Sequence, residues 1–195
     1  ANMASTSAGP GPSAPSIAEA DPLPIALEAP DIKSHGAEIR DVTRNKAVMA
    51  WIATGSVWTA HKLETFFRYC AEEEGQPDEE RKNYYNAVVV EGVCVGVVGI
   101  HPVQYDRSLR GTPTLSIFLS PVVSGRGIGT RVIEMALAAF WTKHPDQKVV
   151  IDVRSNNFPM LRVVEKMGLA RVCTPQIGGK HYDRFETFLV VDDRR

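Results

Sequence analysis

Apolar residues follow two periods along this chain, and the changes of period mark the predicted elements. Short runs that are continuously apolar or alternate with polar residues predict β-strands at 24–29, 84–102, 112–119 and 148–153, with two further strands closing the chain. Apolar residues three and four positions apart predict helices at 31–45, 59–74, 128–143 and 157–167. Glu91 and Gly92 interrupt the second strand run and predict a hairpin turn, while Gly168 is expected to end the last helix.

The order of these elements predicts a mixed α/β fold of the α+β type. The front half is rich in strands and largely antiparallel, whereas the back half alternates strand, helix, strand and helix. The buried face of the first helix is expected to contain Ile32, Ile39 and Val42. The corresponding positions of the second helix are Leu63, Phe66, Phe67 and Cys70.

Composition narrows the class of protein. With 195 residues, 44% of them apolar, the chain fits a single domain at 21–195, preceded at 1–20 by a flexible tail that is poor in large apolar side chains. A net charge of −1 argues against nucleic acid as a partner, and no apolar run is long enough for a membrane span. Three scattered cysteines and five dispersed histidines predict neither a disulfide framework nor a metal site, and we expect a cytoplasmic protein.

The most informative motif is a glycine-rich turn at 124–130, between the strand run and the third helix. Glycines let the main chain approach a ligand, and the first N–H groups of a helix are unpaired, so this turn predicts an anion site for a phosphate-bearing cofactor. A P-loop is excluded because Gly129 is not followed by Lys and Ser or Thr. A dinucleotide-binding turn with Thr130 in the third glycine position and Asp152 as the acidic residue stays open, as does a turn without a ligand.

Two segments together resemble the signatures of the GNAT acetyltransferase superfamily. Residues 124–129 resemble its Gln/Arg-x-x-Gly-x-Gly/Ala turn, with Ser124 in place of Gln or Arg. Residues 157–169 resemble its second signature, Asn-x-x-(Ala/Ser)-x-x-x-(Tyr/Leu/Val)-Glu-Lys-x-Gly-Phe. The resemblance covers about residues 24–191 and is nearest to the Rim-type protein N-terminal acetyltransferases. It implies a GNAT fold with a central mixed sheet of about six to seven strands and about four helices.

The resemblance also implies acetyl-CoA as the cofactor and assigns residues to it. The pyrophosphate is expected at Ser124, Gly125, Arg126, Gly127, Ile128, Gly129 and Thr130. In the family, the fourth strand separates from the fifth, and its main chain binds the pantetheine arm and the acetyl carbonyl; the matching residues are Ile117, Phe118 and Leu119. The N–H near Ile117 is the expected donor to the oxyanion, and the Asn157 amide is expected to contact pantetheine.

The resemblance leaves the acid–base residues and the acceptor open. Val164 stands where the family often has a Tyr that protonates the leaving thiolate, and Met160 replaces a small residue. We predict His101, near a strand end, as the general base. Loops expected to border the acceptor contain Tyr105, His181, Tyr182 and Asp183, and the loop around Trp58 is where selectivity usually lies. The acceptor is a small-molecule amine or a protein N-terminus; the alternative function is a non-catalytic module that binds acyl-CoA.

Overall fold

A computed structural model of the chain describes residues 23–52 and 54–189, so the predicted tail at 1–20 lies outside the described residues. The described strands are β1 (Ile25–Glu28), β2 (Tyr84–Val90), β3 (Val93–Pro102), β4 (Pro113–Leu119), β5 (Val149–Arg154), β6 (Arg171–Cys173), β7 (Gln176–Ile177) and β8 (Lys180–Thr187). The described helices are α1 (Ile32–Arg44), α2 (Lys46–Met49), α3 (Ala60–Glu74), α4 (Ile128–Lys143) and α5 (Phe158–Lys166).

The strands form one mixed sheet in the order β1-β2-β3-β4-β5-β8-β6, with β7 paired to β8. Strands β4 and β5 pair in parallel and are connected through α4, whereas the other ladders of the described sheet are antiparallel. The predicted hairpin turn is present between β2 and β3. Glu91 has a φ of 53° and Gly92 a φ of 79°, and two successive positive values are what a two-residue hairpin turn of type I′ requires.

Helices pack on both sides of the sheet around two clusters of buried side chains. On the α4–α5 face, Val132, Ile133 and Phe140 of α4 pack against alternate residues of the strands. On the α1–α3 face, Ile39 of α1 and Phe67 of α3 do the same. Because successive side chains of a strand point to opposite faces, every residue of β4 and β5 can be assigned to one face. Thr114, Ser116 and Phe118 lie on the α1–α3 face, and Leu115, Ile117 and Leu119 lie on the α4–α5 face.

The mixed α/β fold is confirmed, but several predicted details are wrong. Ile32 is 48% exposed because it is the first residue of α1, and His35 and Gly36 take the buried positions of that turn. The sequence missed α2 because its single turn of four residues is too short to show a helical period. The sheet has eight strands rather than six to seven, since β7 pairs with the start of β8 across a turn of two glycines.

The last strand also corrects the predicted placement of His181, Tyr182 and Asp183. They lie in β8 and not in a loop. The apolar alternation that normally reveals a strand is missing from β8, because Asp183 and Arg184 are buried through ion pairs instead of apolar packing.

Candidate functional site

Strands β4 and β5 separate soon after they begin. Within these two fully described strands, the parallel ladder joins only Thr114 to Val150. The opposite edge of β4 is paired with β3 along all seven of its residues. The C-terminal half of β4 therefore has one paired edge and one edge that opens toward β5.

The main chain of β4 directs specific groups into this opening. The Ser120 N–H donates to the carbonyl of Val95 at 2.7 Å, so Ser120 faces β3. The N–H and C=O groups of successive residues alternate between the two edges of a strand. Those of Phe118 therefore point toward β3 as well, whereas those of Ile117 and Leu119 point toward β5. Ile117 and Leu119 thus offer main-chain groups to the opening, whereas those of Phe118, the third predicted residue, are directed to β3 instead.

The opening leads to the glycine turn that begins α4. Gly125 has a φ of 76° and Gly127 a φ of 72°, backbone conformations that residues other than glycine rarely adopt. A Cβ atom built on either residue meets no other atom within 4 Å. Both glycines therefore border open space, and their conformation brings the main chain to the surface of the turn.

The N-terminus of α4 differs from those of the other described helices. Side chains of Asp31, Asn45, Thr59 and Asn157 accept hydrogen bonds from the first N–H groups of α1, α2, α3 and α5. The α4 cap is Gly127, which has no side chain to do this. The N–H groups of Ile128, Gly129 and Thr130 are left for another acceptor, and the helix dipole favours an anion there. The residues present thus fit a phosphate group.

The side chains beside the turn are exposed and loosely held. Arg126 lies 3.4 Å from the Glu91 carboxylate in the β2–β3 turn, and its side chain is 41% exposed. An exposed pair of this kind contributes little to stability, so the guanidinium can exchange the carboxylate for another anion at small cost. Ser124, whose N–H donates to the carbonyl of Pro121 at 3.0 Å, is exposed and connects the preceding short 3₁₀ turn to the glycines.

Helix α5 lies close to α4 on the same face. A Cβ atom on Gly129 would be 3.8 Å from Val163, an ordinary contact that shows how near the helices are. The Asn157 Oδ1 accepts from the Met160 N–H at 3.4 Å, which uses the oxygen of the amide as a cap. Its Nδ2 is the group suited to a further acceptor. Val164 is fully buried in the core.

Aromatic side chains line the α1–α3 face beside β4. The centroid of the Trp58 ring lies 5.6 Å from that of Phe118 in β4 and 5.3 Å from that of Phe66 in α3. The ring centroids of Tyr85 and Phe66 are 5.5 Å apart. The Tyr85 ring also covers Gly99, where any side chain would clash with it. These rings form an apolar wall on one side of the opening.

His101 ends this wall. Its ring stacks on that of Tyr85 with the centroids 5.7 Å apart, and its Nδ1 lies 3.3 Å from the carbonyl oxygen of Pro102. A carbonyl only accepts, so Nδ1 is the protonated nitrogen and Nε2 has a free lone pair. Burial lowers the pKa of His101 below its ordinary value of 6.5, so the ring is neutral at pH 7. His101 pairs with Thr114 of β4, and Ile117 is three residues further along that strand. The rise of a strand puts about 10 Å between the positions of Thr114 and Ile117.

A polar network stands across the opening from the aromatic wall. Arg184 of β8 donates twice to the Asp152 carboxylate, with both distances 2.8 Å, and once to Asp106 at 2.9 Å. The Tyr105 hydroxyl donates to Asp152 at 2.9 Å. The hydrogen bond with Asp152 contributes most to the raised pKa of Arg184, and burial raises the pKa of Tyr105. The side chains of Arg184 and Asp152 are only 6% and 5% exposed.

The sequence indicated Tyr105 near the acceptor and Asp152 in the dinucleotide alternative, but it did not reveal Arg184, Asp106 or the network that joins them. Asp152 is poorly placed to hold a ribose, because its side chain is only 5% exposed and its oxygens accept from Arg184 and Tyr105. The dinucleotide interpretation therefore loses its acidic residue. The signal that could have revealed Arg184 is the charged pattern of β8, in which an unpaired Arg would be costly to bury.

The described residues contain neither a cluster suited to a metal ion nor a helix suited to a membrane span. Among residues 23–52 and 54–189, no group of three or more His, Cys, Asp or Glu side chains is placed to hold a metal ion. Within the same part of the chain, no helix combines the length and the apolar character of a membrane span.

Comparisons with solved structures find the same fold at low sequence identity. RimJ of Mycobacterium smegmatis, in complex with CoA-disulfide, is 16% identical with a TM-score of 0.68, over 85% of this chain and 82% of RimJ. YncA of Salmonella typhimurium, solved with its cofactor acetyl-CoA, is 16% identical with a TM-score of 0.65, over 87% and 95%. Spermidine N-acetyltransferase of Vibrio cholerae, in complex with CoA and spermine, is 16% identical with a TM-score of 0.64, over 83% and 92%.

Comparison with curated proteins found no match. Comparison with protein families matches residues 26–170 to the acetyltransferase (GNAT) domain. That range spans β1 to α5 and contains both the open edge of β4 and the glycine turn. The resemblance noted from the two signatures is confirmed, and a protein of the Rim type is among the structural neighbours. The chain therefore belongs to the GNAT acetyltransferase family and is an acyltransferase.

Proposed function

We propose that this protein is an N-acetyltransferase that moves the acetyl group of acetyl-CoA directly to an amine. The observation that carries the proposal is the opening between β4 and β5, which leads to the uncapped N-terminus of α4. These elements offer main-chain N–H donors in series, which suits a long ligand with a carbonyl at one end and phosphates at the other. When bound, acetyl-CoA supplies the acetyl group as a thioester.

The turn residues would hold the pyrophosphate. The N–H groups of Gly125, Gly127, Ile128 and Gly129 are the main donors, and the Thr130 hydroxyl is a further one. Arg126 would add a charge-assisted hydrogen bond after releasing Glu91. Ser124 lies at the edge of this site.

The strand residues would hold the reacting end. The Ile117 N–H would donate to the acetyl oxygen as negative charge develops there, and the main chain of Leu119 would contact the pantetheine arm, while Phe118, whose main chain pairs with β3, would hold the strand in position. The Asn157 amide nitrogen would donate to the same arm from the start of α5. The cofactor thus lies on the α4–α5 side of the opening and the acceptor on the other.

His101 would remove the proton of the attacking amine. Its neutral Nε2 is a competent acceptor at pH 7, and the separation from Ile117 requires a water between histidine and amine. The nitrogen–carbon bond forms, the carbon–sulfur bond breaks, and the amine proton passes through this water to His101. Val164 has no proton to give to the sulfur of the cofactor, and since an ordinary thiol has a pKa of about 8.5, transfer would not require a protein acid at this position.

Two measurements test the proposal. Acetyl-CoA should raise the melting temperature, and the protein should release CoA when offered an amine from a panel of amino acids, peptides and polyamines. A melting shift without CoA release from any amine would instead support a non-catalytic acyl-CoA-binding module, the alternative that the absence of a Tyr at position 164 favours. No shift at millimolar acetyl-CoA would contradict both functions.

A further inference from the structure

Residues 54–58, which we call the crossing segment, pass over the opening on its α1–α3 face. At one end, the Thr54 carbonyl accepts from Lys180 of β8 at 3.4 Å. At the other end, Trp58 lies on Phe118 of β4. Because β5 lies between β4 and β8, the crossing segment spans the cleft in which an acceptor must approach Ile117.

Two cationic side chains lie beneath the start of this segment. A Cβ atom on Gly55 would be 3.7 Å from the Arg154 Nη2 and 3.9 Å from the Lys180 Nζ. Arg154 ends β5 and also contacts the Tyr182 hydroxyl at 3.4 Å. The Lys180 ammonium has three donors, and the Thr54 carbonyl takes one of them.

A group with net negative charge lies on the same α1–α3 face of the sheet, a short distance from the two cations. Asp152 and Asp106 share the single guanidinium of Arg184, so this group of three carries a net charge of −1. Continuing the parallel register from Thr114 and Val150 places Asp152 level with Ser116. Ile117 therefore lies between the negative group and the cationic pair.

We propose that the acceptor is a small amine that also carries a carboxylate, as a free α-amino acid does; this rests on the proposed function. The amine lies toward the Asp152 side and the carboxylate is held by the Lys180 ammonium beneath the crossing segment, close to Arg154. A polyamine would place a second cation against Lys180 and Arg154 and is disfavoured. A peptide N-terminus has an uncharged amide where the site offers cations.

The experiment compares each proteinogenic L-amino acid with its own carboxamide, which removes the negative charge and keeps the size. We expect kcat/KM for CoA release to be at least about tenfold higher for the acid than for the amide. Lys180→Met should bring that ratio close to 1, while Lys180→Arg should retain most of it. Lys33→Met, on the exposed surface of α1, is the matched control and should leave the ratio unchanged.

A second measurement separates this inference from the proposed transfer. In protein saturated with CoA, the acid should raise the melting temperature more than its amide, and Lys180→Met should abolish the difference without lowering the shift that CoA itself gives. This binding measurement decides the inference even if no acceptor releases CoA, an outcome that would count against transfer alone. Equal effects of acids and amides, a ratio unaffected by Lys180→Met, or faster acetylation of spermidine than of every amino acid would overturn the inference.

Discussion

The two edges of β4 have opposite properties although they belong to the same seven residues. On the β3 side, each residue has a ladder partner; on the β5 side, ladder pairing ends after Thr114. The paired edge fixes where the strand lies, and that position brings the free N–H of Ile117 to the opening. The difference teaches that a strand can hold its place through one edge and bind a ligand through the other.

Gly96→Ala tests the paired edge and should have the largest effect. Gly96 pairs with Leu119, and an added Cβ would clash with the main-chain oxygen of Phe118. We expect a loss of about 3 kcal/mol in the free energy of unfolding, measured by chemical denaturation. The control is Gly92→Ala, at a positive φ of 79° with no atom within 4 Å, which should lose only about 1–2 kcal/mol. Equal losses would mean that the close approach at Gly96 is unimportant.

Gly127→Glu tests the end of the open edge. The added carboxylate would face the N–H groups that receive phosphate, so the stabilisation given by acetyl-CoA, about 2.7 kcal/mol at a hundredfold excess over Kd, should disappear. NAD should give no comparable shift with the wild-type protein.

Gly127→Ala serves as the control, because it also places a Cβ atom on a residue with a φ of 72° but adds no charge. It should remain folded, since a Cβ there meets open space, and should retain part of the acetyl-CoA shift. Normal acetyl-CoA binding by Gly127→Glu would show that this turn does not hold the phosphates.

His101→Ala should lower kcat by about 10²-fold at pH 7 and leave the KM for acetyl-CoA nearly unchanged. The sign of the pH dependence follows from two ionisations. Burial keeps His101 neutral at pH 7, so the wild type has its base available; at higher pH more of the amine is already neutral, so the deficit of the variant should shrink. Tyr85→Phe keeps the stacked ring and serves as the control. An unchanged rate in His101→Ala would leave the histidine a packing role only.

Arg126→Ala should have the smallest effect. Its exposed ion pair with Glu91 contributes little to folding, so the melting temperature should stay constant while the KM for acetyl-CoA rises about two- to fivefold. Glu91→Ala removes the competing carboxylate and should lower that KM slightly. A melting temperature that falls in Arg126→Ala would mean that the pair stabilises the hairpin turn.

The sequence predicted the parts of this molecule that depend on local pattern. Helix period located α4, and the glycines at 125 and 127 located the turn, because positive φ values leave few alternatives to glycine. The resemblance to the two GNAT signatures then indicated the opened strand. These features need only a short stretch of chain to be visible.

The acceptor side could not be predicted in the same way. Arg184 meets Asp152 and Asp106 only after β8 has been placed beside β5, and nothing near Arg184 in the sequence reveals its partners. Lys180 likewise meets Thr54 through a contact between distant parts of the chain. Side chains that act through such long-range pairing require the three-dimensional structure.

The position of β8 has a consequence for synthesis of the protein. Of the described strands this one is synthesised last, yet it lies inside the sheet between β5 and β6. Translating the residues between Arg154 and Lys180 takes about 1–5 s at about 5–20 residues per second, and during that time β5 is an uncovered edge. A stop codon between the end of α5 and β8 would therefore leave every predicted cofactor residue in the product but yield an aggregation-prone chain.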